Sequence, residues 1–525
     1  MKNRTKTMIK NLLKTMSGAL AALSLVACND FFDLQPTNEM VLDEFWQSED
    51  DVLSVTGSCY HGMQEGDFLK RLIVWGEFRS DNMILGPANN DGDLRYIATL
   101  NLLPSNNYSR WNNFYNVINL CNTIEYFAPS VRDKDPNFTQ AQLNAYIAEA
   151  KGIRAYCYFT LVRAFRDIPF STKPVIDDTE EFQLPQSDPD EVIDFLIEDL
   201  KSVEPTAAST YSNRTYTKSR MTQAAIRALI ADMCLWRGRY EECITYCDRL
   251  LHDTNNVFVM ENAMGYSRNL FVTGLSTETI FELNFNTANY SNYAVADFYG
   301  EMSQGYQQQI IPYDFESGVR QIFGETDLRE RTSYYASSNT GASVRKYTSY
   351  LPSSALTSPN VSSGSYVMGN PYECNWIIYR LPDIYLMKAE AMAELNTDLE
   401  GAFSLACITY DRANPEAGAG SLNFADYNSQ ESVLNFIFDE RQREFLYEGK
   451  RYFDLLRRIS HHRDQFKNLV DTYLMGKYDN LDQSTVSSKL SAYDALFMPI
   501  NATEMRANQL LVQNPFYRQS TDITN

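Results

Sequence analysis

The sequence predicts a mostly α-helical fold: tetratricopeptide-like helix hairpins stacked as an α-α superhelix, joined to an irregular, loop-rich half. Three observations predict it. Residues 222–251 and 380–412 repeat one helix-turn-helix plan. Stretches 110–127, 140–166 and 431–458 carry apolar residues at helical spacing. Between residues 285 and 380 that periodicity is lost, and Gly, Ser, Asn and Pro become frequent.

The N-terminus stands outside this fold. Lys2, Arg4, Lys6, Lys10 and Lys14 precede a short apolar run, residues 16–27, with no acid among them. That pattern is a signal peptide over residues 1–27, too short to span a bilayer. Leu25-Val26-Ala27-Cys28 then reads as a lipobox, so Cys28 is the expected lipidation site. Several acyl chains on one residue make a stable anchor. Loss of the five leader cations takes the net charge from −21 to −26. Such an acidic chain excludes a nucleic-acid or anionic-lipid surface, which needs clustered cations. No later segment reaches the roughly 18 apolar residues of a membrane span.

The helices follow in order. Residues 110–127 read as the first. In 140–166, Leu143, Tyr146, Ile147, Ala150, Arg154, Cys157, Leu161 and Phe165 share one face, and Asp167-Ile168-Pro169 ends the run. In the first hairpin Ile226, Leu229, Ile230 and Met233 recur at helical spacing, Gly238 stops the helix, and Tyr240, Cys243, Ile244 and Cys247 restart it. In the second, Ile384, Met387, Ala391 and Leu395 are followed by Leu399, Ala402, Phe403 and Ala406. With 525 residues, 44% of them hydrophobic, a large core is available. The mature chain divides into 28–220 and 221–525, the latter carrying 285–380 as a loop-rich insert within one intertwined body. Cys157, Cys234, Cys243, Cys247 and Cys407 fall at apolar phases, as buried thiols do. No C-x-x-C is present and the four His lie at no zinc spacing, so neither a metal nor another cofactor is implied.

The stretch 431–458 reads as one helix whose apolar stripe, Val433, Phe436 and Ile437, runs on through Glu440 and Glu444. Buried acids need cations, and Arg441, Arg443, Arg451 and Arg457 are the nearby candidates. Two roles suit carboxylates four apart on one face. One is a general acid/base pair. The other is a structural ion network formed by Glu440, Arg441, Glu444, Arg451 and Asp454. A general acid needs its pKa raised, whereas adjacent cations lower it, which favours the network. The chain has no nucleophile elbow, metal triad or phosphate loop, and reads as a binding protein rather than an enzyme.

Nine of the 34 tyrosines fall in residues 290–350, more than twice their share. Tyr offers a flat apolar face with a polar tip, and Asn and Gln both donate and accept. A sugar, with C–H faces and hydroxyls, needs both. Residues 287–308 combine the two types, which makes Tyr290, Tyr293, Tyr299 and Tyr306 candidate ligand contacts. The alternative is that these rings pack the loops onto the frame. A second, Asn-rich loop covers 82–108. Its Asn89-Asn90-Asp91-Gly92-Asp93 is superficially similar to a calcium loop, but the closing Glu is missing.

Motifs in a fixed order then carry a family resemblance. They run from Cys28-Asn29-Asp30-Phe31-Phe32 through Arg79-Ser80-Asp81-Asn82 and Trp111-Asn112-Asn113-Phe114-Tyr115 to the longest, Glu440-Arg441-Gln442-Arg443-Glu444-Phe445 with Glu448-Gly449-Lys450-Arg451-Tyr452-Phe453-Asp454. Met498-Pro499-Ile500 and Gln513-Asn514-Pro515 close the series. Over residues 28–517 the chain resembles the SusD/RagB nutrient-uptake outer membrane lipoproteins. The resemblance implies four tetratricopeptide-like hairpins under an irregular ligand-binding half, facing outward from the outer membrane. It implies a partner, a SusC-like TonB-dependent transporter barrel, which the lipoprotein caps as a lid while capturing oligosaccharide or peptide. In this family the first loop often supplies an aromatic and an Asn, and Tyr96 and Asn101 are the nearest equivalents. The expected function is glycan capture for that transporter. A peptide-capturing lid of the RagB type, a surface-anchored glycosidase and a helical scaffold are the alternatives.

Overall fold

Caps and left-handed turns set the ends of the helices in this structure, a computed structural model that describes residues 45–176, 183–313, 322–337, 341–358 and 360–518. The leader and Cys28 lie outside the described residues. The fold is mostly α-helical. Helix α1 (Glu49–Gln64) opens on a capping box between Ser48 and Asp51, with three acids in its first turn. Helix α2 (Gly66–Ile73) widens into a π turn, Val74–Phe78. Strand β1 (Met83–Leu85) and the short helix α3 (Gly92–Ala98) follow, so the 82–108 loop is more ordered than its composition suggested.

The long helices α4 (Asn112–Lys134) and α5 (Gln140–Phe165) pack on one another, and α1 lies against α4. A Thr139–Gln142 capping box starts α5. Asp188 caps α6 (Pro189–Val203), whose first residue is the Pro that suits that position. Helices α7 (Gln223–Trp236) and α8 (Tyr240–Leu251) form the first expected hairpin, turned at Gly238 with φ 68°. The insert then begins with strand β2 (Thr279–Leu283), helix α9 (Tyr293–Tyr299) and strand β3 (Ile310–Pro312), and returns through strand β4 (Trp376–Arg380). The second hairpin is α10 (Leu381–Leu395) and α11 (Leu399–Ala413), with Asn396 taking the left-handed turn. Helix α8 packs on α10, which joins the two hairpins into one stack.

The core of that stack is Leu386, Phe403, Val433, Phe436, Ile437 and Phe445 with alanines between them. Each large side chain contributes about 1.5–3 kcal/mol by leaving water. The strands pair only in twos: β1 with β3, and β2 with β4, both antiparallel. Every residue of β2 and β4 is buried. The described residues from Ser48 onward fall in one unit. All eight described cysteines are free thiols, buried except for the half-buried Cys407. No helix among the described residues is long and apolar enough to cross a membrane.

The stretch 431–458 is two helices rather than one, α12 (Gln430–Phe445) and α13 (Arg451–His461). Between them Tyr447 and Gly449 take φ values of 66° and 75°. The reason lies in a distant element. A Cβ at Gly76, in the π turn, would overlap the Gly449 carbonyl, so the two backbones touch there. The Glu77 carboxylate accepts the Tyr447 N–H at 3.0 Å and the Gly449 N–H at 2.9 Å. Those bonds fill donors that a continuous helix would have used internally.

Candidate functional site

A buried web of charge holds the insert to the helical frame. Glu444 accepts from Arg329 at 2.9 Å and also from Arg380 and Arg412. Glu440 accepts from Arg329 at 2.7 Å, Arg443 at 2.8 Å and the Thr409 hydroxyl at 2.8 Å. Glu448 takes Lys346 and Arg380, each at 2.7 Å. The expected local partners sit elsewhere. Arg441 and Arg457 pair with Asp454 at 2.8 and 2.9 Å. Arg451 reaches across to Asp81 at 2.9 Å. Of the four arginines read as partners of Glu440 and Glu444, only Arg443 serves one of them. The other cations come from β4, α11 and the insert, too far along the chain for a local pattern to reveal.

Burial opposes ionisation of Glu444, yet Arg412, Arg380 and Arg329 together hold its carboxyl well below the usual carboxylate range. Asp454 is likewise held down, at about 2, by Arg441 and Arg457 against its burial. A proton donor needs the opposite shift. Burial does push Glu77 up to about 7, against bonds from Asn82, Tyr447 and Gly449, but it is fully enclosed.

The exposed chemistry lies on the insert. Asn292 caps α9 by accepting the Val295 N–H at 3.0 Å, and its amide donates to the Cys374 carbonyl at 2.9 Å. This places Tyr293, 57% exposed, at the start of the helix. Tyr293 and Tyr306 each lie 5.6 Å from Tyr372 between ring centroids. Tyr290, 42% exposed, lies against His61 of α1, the ring centroids 4.3 Å apart and the planes tilted by 33°. Polar side chains flank several of these residues along the chain. The Gln64 amide donates to the Asn284 carbonyl, Asn113 to Glu65 at 2.8 Å, and Thr287 to Glu373 at 2.5 Å.

Tyr299 does not join this patch. Six residues past Tyr293, it lies about 120° round α9 from it, is fully buried and donates to the Tyr447 carbonyl at 3.2 Å. Tyr313, Tyr334 and Tyr347 are buried too, so these rings pack rather than present. Two patch residues escaped the sequence reading. His61 has no distinguishing pattern on α1. Tyr372 stands just beyond the tyrosine-rich window, after an Asn-Pro turn that a wider window would have included.

The Asn-rich loop lies against the insert. The Gly86 N–H donates to the Gln309 carbonyl at 2.9 Å, and a Cβ at Gly86 would overlap the Gln308 carbonyl. Gln309 exchanges side-chain bonds with Asn89 and Asn90 at 2.8 and 2.7 Å. Tyr96 is exposed on α3. Asn101 is bonded to Thr99 and to Lys489, the latter at 2.7 Å, and makes no hydrogen bond to the tyrosine patch among the described residues. Asp91, in the calcium-like stretch, caps α3 and accepts the Tyr108 hydroxyl at 2.6 Å.

Comparison with known proteins adds the family. Residues 277–517 match a profile described as SusD family, and residues 30–235 one described as starch-binding associating with outer membrane. A SusD-like protein of Formosa agariphila is 24% identical over 496 residues, covering 85% of this chain and 91% of its own. A SusD superfamily structure from Bacteroides vulgatus overlays with a TM-score of 0.73 at 18% identity, covering 90% of this chain and 100% of that one. Surface glycan-binding protein A from Bacteroides uniformis overlays at 0.68 with 19% identity, covering 90% and 100%. Profiles on both the helical frame and the insert, with whole-length likeness in sequence and fold, identify this chain as a SusD-like protein.

Proposed function

We propose that this chain is a cell-surface glycan-binding protein. It captures oligosaccharide on the aromatic patch and delivers it to a SusC-like TonB-dependent transporter of the outer membrane, acting as its lid and held there by lipid on Cys28. One observation carries the reading: Tyr290 and Tyr293 stay exposed beside His61, Tyr306 and Tyr372 while other tyrosines of the same insert are buried. Exposed rings grouped on one surface favour a flat apolar partner, and the phenol hydroxyls suit hydroxyl groups. The description of the matched profile as starch-binding, and a structural neighbour named for glycan binding, support sugar over peptide as the cargo. Glu440 and Glu444 are locked by arginines, which supports binding without cleavage.

The test is calorimetric titration of the mature chain with a polysaccharide panel, with the same samples analysed for shorter products. One glycan class binds and no product forms. Replacing Tyr290 and Tyr293 together by Ala weakens that binding about tenfold or more, as expected for two stacking rings, and leaves the melting temperature unchanged. Product release would overturn the reading, as would binding indifferent to both rings.

A further inference from the structure

Helices α1 and α4 approach closely. A Cβ at Gly62 would stand 2.7 Å from a Val117 methyl, so a side chain there would have no room. One turn back along α1 and one turn on along α4 stand Cys59 and Cys121. Three residues forward on one helix thus match four residues back on the other, as in an antiparallel pair. The two thiols meet across this contact, with the Cys121 thiol donating to the Cys59 sulfur at 3.7 Å. Both are fully buried.

A disulfide needs its two backbones close together, and the contact of Gly62 with Val117 shows that they are. It stabilises most when it closes a long loop. Cys59 and Cys121 lie 62 residues apart, on different helices. Cys243 and Cys247, by contrast, share helix α8 and would close only a small ring. Cys157 of α5 is buried as well and is the rival partner for Cys121.

We propose that the exported chain carries a disulfide between Cys59 and Cys121, of which the structure shows the dithiol form. The proposal rests on the leader read over residues 1–27, which takes the chain out of the reducing cytosol. The oxidant is an external disulfide, that of glutathione or of a thiol–disulfide oxidoreductase. One cysteine attacks it as a thiolate, forms a mixed disulfide and releases the first oxidant thiolate. The other cysteine attacks the mixed disulfide as a thiolate, closes the Cys59–Cys121 bond and releases the second. Two electrons and two protons pass from the pair, and the oxidant leaves as two thiols. In the folded chain the bond from Cys121, together with burial, pushes the Cys59 thiol well above its ordinary range, so thiolate is scarce. Closure therefore belongs to folding, before α1 settles on α4, and burial then shields the bond from reductants. The consequence is positional. His61 lies about 200° round α1 from Cys59, on the side that meets Tyr290. A bond on the buried side fixes the rotation that brings His61 to the aromatic patch.

The experiment exports the full chain to an oxidising bacterial periplasm, blocks its thiols with N-ethylmaleimide in guanidinium at lysis, and maps the digest by mass spectrometry without reduction. The peptides bearing Cys59 and Cys121 are found as one linked species, and the other described cysteines carry the label. Reducing the purified chain lowers its melting temperature by about 3–5 °C. The same treatment leaves Cys59→Ala and Cys121→Ala unchanged. Recovery of Cys59 and Cys121 as two labelled thiols overturns the proposal. So does a link from Cys121 to Cys157. The mapping is done on the parent chain, so it holds whether or not either variant folds.

Discussion

Asp454 sits between two guanidiniums, Arg441 at 2.8 Å and Arg457 at 2.9 Å, and is held at about 2 where an ordinary aspartate lies near 3.8. Because the folded-state value is the lower one, the carboxylate stabilises the fold above pH 4 and loses that contribution as pH falls through 2. Between pH 5 and pH 3 the loss is about 1 kcal/mol. Asp454→Asn removes this titration at a cost in stability at neutral pH. Its deficit relative to the parent should therefore shrink by about that amount between pH 5 and pH 3 in urea unfolding, and a constant deficit would show that folding does not shift the titration of Asp454. The residue scale is also where the sequence was hardest to read. Tyr293 and Tyr299 share a type, a helix and a loop-rich setting, and only the rotation of α9 sends one to water and the other to the core. Arg451 was legible as a member of a charge network but not as to its partner, because Asp81 lies far away along the chain.

At the scale of elements, both hairpins were legible because their signal is local: apolar spacing, a cap and a left-handed turn within thirty-odd residues. The break between α12 and α13 was not, since the helical stripe continues on both sides of it and the cause is the π turn near residue 76. That close approach makes a prediction. Gly76→Ala must push the π turn away from the Leu446–Lys450 connection, weakening the Glu77 bonds to Tyr447 and Gly449. Overpacking of this kind costs about 1–3 kcal/mol. A chemical denaturation midpoint equal to that of the parent would show that the contact relaxes freely.

For the whole molecule, the buried ion pairs join segments that sequence order keeps apart. Arg451 and Asp81 connect α13 to the turn before β1, and Arg79 donates to the Leu496 carbonyl at 2.7 Å near the far end of the chain. Arg451→Ala removes two guanidinium bonds to the buried Asp81 carboxylate, at 2.9 and 3.0 Å, and should cost about 3–5 kcal/mol in guanidinium unfolding. A midpoint within experimental error of the parent would remove this pair from any account of stability. The mostly helical class was legible because helices announce themselves locally. The placement of the insert was not, because it rests on Arg329, Arg345 and Lys346 finding acids outside their own segment or far along it.

The buried pairing of β2 with β4 has a consequence for how such a chain can change. The whole insert leaves and re-enters the frame through one two-stranded neck. A neck of that kind suits a replaceable cassette: recognition loops could be exchanged between relatives by cutting at its two strands. The cassette is not free of conditions, however. It carries Arg329 and Lys346, and a transplant lacking them would strand Glu440 and Glu448 without those counter-charges. Drift and engineering alike are thus channelled. The stretch around Tyr290 and Tyr306 is open to revision, whereas the two cationic anchors must travel with every graft.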